Sequence, residues 1–319
     1  MKAAIYNTYG KPNVIKVVDA KKPIPKANEV LVKIKASSVT HADVLMRKGT
    51  PKFGRLFLGL FKPKNKTLGT GFSGIVERVG NKVSKFNVND EVFGEVLFAN
   101  GTNAEFVCIQ EDAVIAKKPN NITHQEAAPI CDGFLTSYSF FKDVGKLKEG
   151  QHILINGASG SLGTAAVQLA KVLGAKVTGV CSASNTELVK SLGADFVINY
   201  KKKDFTKSGE YYDFIFDAVG KSSYKKCKSI LTFNGVFMSP VLSCSVLWYA
   251  IVSSKKVKFS ATGIRKQEDL KKLLDELVVL FKLKNVRTII DKTYTIQQII
   301  NAHTYIETGR KRGNVVIIN

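Results

Sequence analysis

The chain has 319 residues, of which 45% are hydrophobic and 23% charged, and its 48 Lys and Arg against 26 Asp and Glu give a formal net charge of +22. That length exceeds what one core usually fills, so two domains are expected of a soluble globular protein. No apolar run reaches the roughly 18–20 residues of a membrane span, and the start MKAAIYNTYGKP has no long apolar stretch of the kind that directs secretion. Cys108, Cys131, Cys181, Cys227 and Cys244 are widely spaced and form no CxxC pair, which fits free thiols in a reducing, cytoplasmic setting. The basic residues are mostly lysine, scattered through every segment without an interleaved aromatic platform. They predict a generic attraction to polyanions and no specific nucleic-acid site.

In chain order, residues 1–122 alternate in the manner of half-buried strands. EVLVKIKASSV (29–39), GFSGIVERVG (71–80), DEVFGEV (90–96) and AEFVCIQ (104–110) are separated by Gly, Pro, Asn and Asp turns, a spacing that predicts a barrel or partly open sandwich. Within this module, residues 52–66 place Phe53, Leu56, Phe57, Leu60 and Phe61 at a helical period beside Arg55, Lys62, Lys64 and Lys66. A flap closing with its apolar face inward is expected there, with contact to an anionic membrane surface as the alternative. Thr123 followed by Glu126 makes a capping box that opens a helix, which Pro129 and Gly133 should kink or break.

The next segment carries the strongest local signal. HILIN ends in Gly157, and Gly157, Gly160 and Gly163 stand three apart before a helix bearing Leu162, Ala166, Leu169, Ala170 and Leu173. Gly157 permits the tight turn, Gly160 lets backbone approach a pyrophosphate, and Gly163 lets the helix pack closely on the strand. The amides of Ser159, Gly160, Ser161 and Leu162 are then aimed at the phosphates. A second strand, AKVTGV, ends in Cys181, Ser182, Ala183, Ser184 and Asn185 with no acid to accept from a ribose 2′-hydroxyl. Hydroxyls and an amide can donate to a 2′-phosphate, so NADP(H) is the expected cofactor, with Ser182 and then Tyr200 as its phosphate partners. DFVIN, YDFIFDAV, GVFMSP and KVKFSAT continue the alternation of strand and helix that marks a parallel doubly wound sheet. Val219, Gly220 and Ser239, at strand ends, should line the cofactor groove. From Gln267 a helix, a strand pair around TIIDKTY, another helix and a final strand NVVIIN form a tail too small to fold alone, expected to complete the first module's sheet. The expected division is therefore 1–122 with 266–319, and 123–265.

Taken in order, KVSKFNVNDEVFGE, THQEAAPICDGFLTSY, NGASGSLGTAAVQLAK, LGADFVINY, YDFIFDAVG and ETGRKRGNVVI resemble the medium-chain dehydrogenase/reductase superfamily, in its zinc-free quinone oxidoreductase and enone reductase branch. The resemblance implies an α/β protein with a GroES-like β-barrel domain, a Rossmann domain, a cofactor in the cleft between them and a homodimer. Zinc alcohol dehydrogenases of this kind would carry Cys at 40, His-Glu at 70 and 71 and a four-cysteine lobe after VFGE. This chain has Thr40, Thr70 and Gly71, no such lobe, and four histidines that form no ligand cluster, so no metal is expected.

Without a Lewis acid, the expected reaction is NADPH-dependent hydride transfer to a substrate that spreads the resulting charge itself, a quinone or an α,β-unsaturated ketone or aldehyde. By resemblance Thr40 replaces a family Asn at the substrate or nicotinamide, Asp43 matches a family Asp, and Thr136 matches the threonine facing the nicotinamide. Asn314 stands where relatives have Lys near the nicotinamide ribose. Tyr138 carries a phenol that could donate a proton. Gly71 stands where the family commonly has an acid. A competing expectation is a dinucleotide-fold protein that binds RNA or a membrane surface through its basic charge.

Overall fold

The strand Glu29–Val39 buries eight of its eleven residues, and it is the spine on which three other strands pair. In this computed structural model, which describes residues 1–96 and 101–319 except for the side chains of Phe57 and Cys244, the chain forms two units. The first comprises Met1–Asp132, Lys266–Lys284 and Thr288–Asn319, and the second Gly133–Arg265 with Asn285–Arg287.

In the first unit Glu29–Val39 pairs antiparallel with Gly71–Val79, Phe106–Gln110 and the final strand Asn314–Ile318. Glu91–Glu95 and Ile115–Lys117 extend the sheet on one side, and Ile290–Thr295 lies parallel to the final strand on the other. Residues around TIIDKTY thus supply one strand, whose partner is the chain end. Inward positions Val30, Val32, Ile34, Phe72, Val76 and Val92 pack one core cluster, as the period of two requires. The helix Gln267–Lys282 buries Leu270, Leu273, Leu274, Leu277 and Phe281, a single stripe at the 3.6-residue period. This is the GroES-like architecture. Residues 123–132 also belong here, because Thr288 donates to Glu126 O at 2.7 Å and Asp132 is held by Ser38 and Thr70.

The capping box at Thr123 forms, with Glu126 N on Thr123 Oγ1 and Thr123 N on Glu126 Oε2. The helix it opens is interrupted: Pro129 breaks it after His124–Ala127, and Cys131–Leu135 is wound as a π-helix. The helix expected over residues 52–66 is shorter than its period suggests. Only Arg55–Leu58 is α-helical, and Gly59, at φ 117°, ends it. Leu56, Leu60 and Phe61 are exposed, Phe61 at 88%, while Leu58 is half-buried. The side chain of Phe57 and the link after VFGE, residues 97–100, lie outside the described residues.

In the second unit six parallel strands lie in the order Phe196–Asn199, Lys176–Cys181, His152–Asn156, Tyr212–Asp217, Leu231–Ser239, Val257–Phe259. Numbered within the unit this is 3-2-1-4-5-6, the Rossmann order, and it reverses between His152–Asn156 and Tyr212–Asp217. Both strands are nearly continuous apolar runs because helices cover both faces of a parallel sheet. Cys108, Cys131, Cys181 and Cys227 are free thiols, and Cys244 is not described at its side chain. No helix among the described residues is long and apolar enough to cross a membrane.

Phe216 is fully buried, with its ring 5.2 Å from Phe140 and 5.5 Å from Phe141. Truncation leaves a cavity that rigid strand neighbours cannot fill. Phe216→Ala is therefore expected to lower the unfolding free energy by about 3–5 kcal/mol in denaturant titration followed by near-ultraviolet circular dichroism.

Candidate active site

In the second unit, the reversal of strand order leaves a crevice at the strands' carboxyl ends. Gly157 turns the chain there with φ 82°, and Gly160 caps the helix Ser161–Val172 in extended geometry. The glycines differ in what surrounds them. A Cβ on Gly163 would lie 2.1 Å from Gly157 O and 2.7 Å from Ala158 Cα, so only hydrogen lets helix and turn approach. A Cβ on Gly160 would meet nothing nearer than Gly157 O at 3.6 Å, so this glycine borders open space. The amides of Leu162 and Gly163 open the helix, where no preceding turn offers them a carbonyl. An N-terminus that is uncapped by any side chain and faces open space fits the pyrophosphate of a dinucleotide.

Around this cradle one carboxylate orders the neighbouring loop. Asp217, buried, accepts from Asn156 Nδ2 at 2.9 Å, Gly220 N at 3.1 Å and Val219 N at 3.4 Å, and its other oxygen accepts from Ser222 N at 2.9 Å. Val219 is pressed against Gly157, and Ser239 donates its hydroxyl to Asp217 O at 3.0 Å. Val219, Gly220 and Ser239 are thus gathered by an aspartate that the strand reading passed over, although its place at the end of FIFD was a visible signal.

At the end of Lys176–Cys181, Ser182 Oγ and Ser184 Oγ lie 3.1 Å apart, and Tyr200 N donates to Cys181 O at 3.2 Å, bringing Tyr200 and Ser182 to the same strand ends. Tyr200 is 55% exposed. Asn185 Nδ2 donates to Ser159 Oγ at 2.9 Å, while its buried Oδ1 has no hydrogen-bond partner. Asn185 therefore joins the phosphate turn to the second strand, a link that only the fold creates. Thr136 is half-buried, whereas Tyr138 is 5% exposed, with Lys142 Nζ 5.6 Å from its ring centroid.

In the first unit Thr40 caps the helix His41–Lys48. Its hydroxyl accepts from Asp43 N at 3.2 Å and donates to Asp43 Oδ2 at 2.8 Å, while its amide donates to the same oxygen at 2.7 Å. Asp43 Oδ1 accepts from Gly69 N at 3.0 Å. Burial raises the Asp43 carboxyl above its usual range, against these hydrogen bonds. Thr40 and Asp43 thus satisfy one another and the backbone. Asn314 is buried, and its side-chain amide donates to Ile289 O at 3.0 Å. Nearby in the unit, Asp132 accepts from Ser38 and Thr70, and it was not among the residues singled out by sequence.

With this geometry in view, residues 26–120 match the family described as alcohol dehydrogenase GroES-like domain, and residues 192–317 match the family described as zinc-binding dehydrogenase. The chain is 33% identical over 355 aligned positions to the human mitochondrial NAD(P)H oxidoreductase RTN4IP1, covering 99% of this chain and 89% of that protein. It is 32% identical to 2-methylene-furan-3-one reductase of Solanum lycopersicum, covering 99% of this chain and 79% of that protein. Among solved structures, the quinone oxidoreductase of Coxiella burnetii superposes with a TM-score of 0.89 at 28% identity, covering 100% and 99% of the two chains. Zinc takes thiolate, imidazole or carboxylate ligands, three or four together. Thr40 and Thr70 offer hydroxyls already committed to Asp43 and Asp132, and among the described residues no group of three His, Cys, Asp or Glu side chains could hold a metal. The donor set does not fit zinc.

The two glycines separate folding from binding. Gly160→Ala is expected to leave the unfolding free energy within about 0.5 kcal/mol of the original. It should weaken dinucleotide binding by about 10- to 100-fold, the equivalent of one lost charge-assisted hydrogen bond. Gly163→Ala should lower both melting temperature and binding, as read by calorimetry and by nucleotide fluorescence titration.

Proposed function

Because the chain belongs to the medium-chain dehydrogenase/reductase superfamily, in its quinone oxidoreductase branch, and is an oxidoreductase of that type with a nicotinamide dinucleotide cofactor, we propose that it is an NADPH-dependent, zinc-independent reductase of quinones or α,β-unsaturated carbonyl compounds. The observation that carries this reading is a conjunction. One unit holds a dinucleotide cradle whose second strand ends without an acid. The other holds hydroxyls and carboxyls where zinc enzymes would hold thiolate and imidazole.

When bound, the nicotinamide supplies hydride. The chain's own tasks are to hold and orient the cofactor, exclude water and stabilise the oxyanion that forms on the substrate. Leu162 and Gly163, with Ser159, Gly160 and Ser161, form the pyrophosphate site at the helix start. Ser182 and Tyr200 take the 2′-phosphate, which a carboxylate at this strand end would repel. Thr136, Val219, Gly220 and Ser239 line the nicotinamide half. Thr40 and Asp43 brace the substrate side by locking the helix His41–Lys48 in place, and Tyr138 serves by packing. Quinones and enones delocalise the developing charge over their own π-systems, so hydroxyl donors suffice where an alcohol would demand a metal. The names of the relatives, an NAD(P)H oxidoreductase and an enone reductase, support the same reaction class.

Fluorescence titration is expected to show tighter binding of NADPH than of NADH, and equal affinities would remove the cofactor assignment. Cys181→Asp, which puts a carboxylate at the strand end, should shift the NADH to NADPH preference by about tenfold or more toward NADH. NADPH consumption assayed over quinones, enones, enals and saturated aldehydes should be confined to the first three classes. Stoichiometric zinc in the purified protein, measured by elemental analysis, would contradict the zinc-free mechanism.

A further inference from the structure

The segment over residues 52–66 of the first unit has no part in the dinucleotide chemistry, yet it holds Phe53, Leu56, Leu60 and Phe61 exposed to water. A cluster of large apolar side chains left in solvent marks a contact surface. The loop that carries them is closed on itself. Arg55–Leu58 makes one helical turn, Gly59 at φ 117° reverses the chain, and Lys64 N donates to Leu58 O at 2.8 Å. Pro63 is buried within this closure, and Leu60 and Phe61 form its exposed tip.

The tip is also tied to the rest of its own unit. Tyr9 donates its hydroxyl to Gly59 O at 2.6 Å, and the Arg55 guanidinium lies 4.5 Å from the Tyr9 ring centroid. Arg55 Nε donates to Gly49 O at 3.0 Å, and Tyr6 N donates to Lys66 O at 2.8 Å where the segment rejoins the strand Lys2–Tyr6. A tip held in this way loses little conformational freedom when it docks.

Charge decides what it docks to. Residues 44–76 contain seven Lys and Arg and no Asp or Glu. Arg47 and Lys48 pair with Glu307, and Arg55 is engaged by Tyr9 and Gly49. Lys52, Lys62, Lys64 and Lys66 are exposed around the apolar tip. A second copy of this surface would bring like charges together. A nucleic acid would offer its phosphates to the lysines but nothing to Leu56 and Leu60. An anionic bilayer answers both features, because lysine stems let ammonium groups stay among the headgroups while apolar side chains lie deeper.

We propose that the tip bearing Leu60 and Phe61 docks the protein onto an anionic phospholipid bilayer. Its apolar side chains enter the boundary of the acyl region, and Lys52, Lys62, Lys64 and Lys66 meet the headgroup phosphates. Attachment is peripheral and depends on negatively charged lipid. Docking needs neither cofactor nor substrate, so its test is independent of the reductase reading.

The test is co-sedimentation of the full chain with vesicles of phosphatidylcholine containing about one phosphatidylserine in three lipids, against vesicles of phosphatidylcholine alone. Binding to the first should exceed binding to the second by about tenfold or more, and should fall steeply between about 50 mM and about 500 mM salt. Lys62→Gln, Lys64→Gln and Lys66→Gln together should weaken it by about 10²-fold, near fivefold for each charge. Leu60→Ser with Phe61→Ser should weaken it by about tenfold or more without changing the charge. Lys201→Gln, Lys202→Gln and Lys203→Gln, which remove the same charge from the second unit, should leave it within about threefold of wild type. All these side chains are exposed, so melting temperatures should not change. Phe61→Trp adds a reporter at the tip, and its emission should shift to shorter wavelength on anionic vesicles. The wild type, whose one tryptophan, Trp248, lies in the second unit, should show no such shift. Failure to sediment with anionic vesicles, equal losses in the two lysine triples or an unshifted Phe61→Trp would overturn the proposal. So would a dimer in sedimentation velocity that Leu60→Ser with Phe61→Ser abolishes, since a second copy would then cover the tip.

Discussion

The nucleotide-binding unit depends on the contact between the helix Ser161–Val172 and the turn that precedes it, where a Cβ at position 163 would stand 2.1 Å from a carbonyl oxygen. Close packing of backbone on backbone fixes the helix axis against the strand His152–Asn156. It therefore fixes where the positive end of the helix dipole points. The same contact allows Gly160 to remain unsupported on its outer side, which a phosphate group requires and a packed core would not leave. Sheet order follows the same logic: with the first strand central and the order reversing beside it, the helix start opens onto the crevice at the strand ends.

Asp217 complements that contact electrostatically. A buried carboxylate is costly unless its lone pairs are met, and here one side-chain amide and three backbone amides meet them. Those backbone amides belong to residues 219, 220 and 222, so satisfying the charge also shapes the loop that follows Tyr212–Asp217 and presses Val219 onto Gly157. Satisfying the charge and shaping this loop are in this way one structural event.

The first unit contains two aspartates whose carboxyls burial raises above their usual range, each met by a different set of donors. Asp43 is enclosed by the amides of Thr40 and Gly69 and the hydroxyl of Thr40, a set that anchors a helix start. Asp132, half-buried, accepts from the hydroxyls of Ser38 and Thr70 and feels the charges of Asp43 and Lys311. Hydroxyls can reverse their hydrogen bonds when a carboxyl gains a proton, and backbone amides cannot.

The sequence by itself determined the features whose physics is local. Glycine spacing after an apolar strand, the alternation in Glu29–Val39, the leucine stripe of Gln267–Lys282 and the capping box at Thr123 each depend on neighbours a few residues away, and all were legible. The period over residues 52–66 overstated the helix, because Gly59 ends it after one turn. Tertiary structure alone decided which distant groups meet. Ser38 and Thr70 stand 94 and 62 positions from Asp132, and Asn156 stands 61 from Asp217. Such pairs carry no periodicity, since they arise where separate strands end side by side. The chemistry of a carboxyl follows from the donors that folding brings to it, and those donors become visible only when the strands are in register.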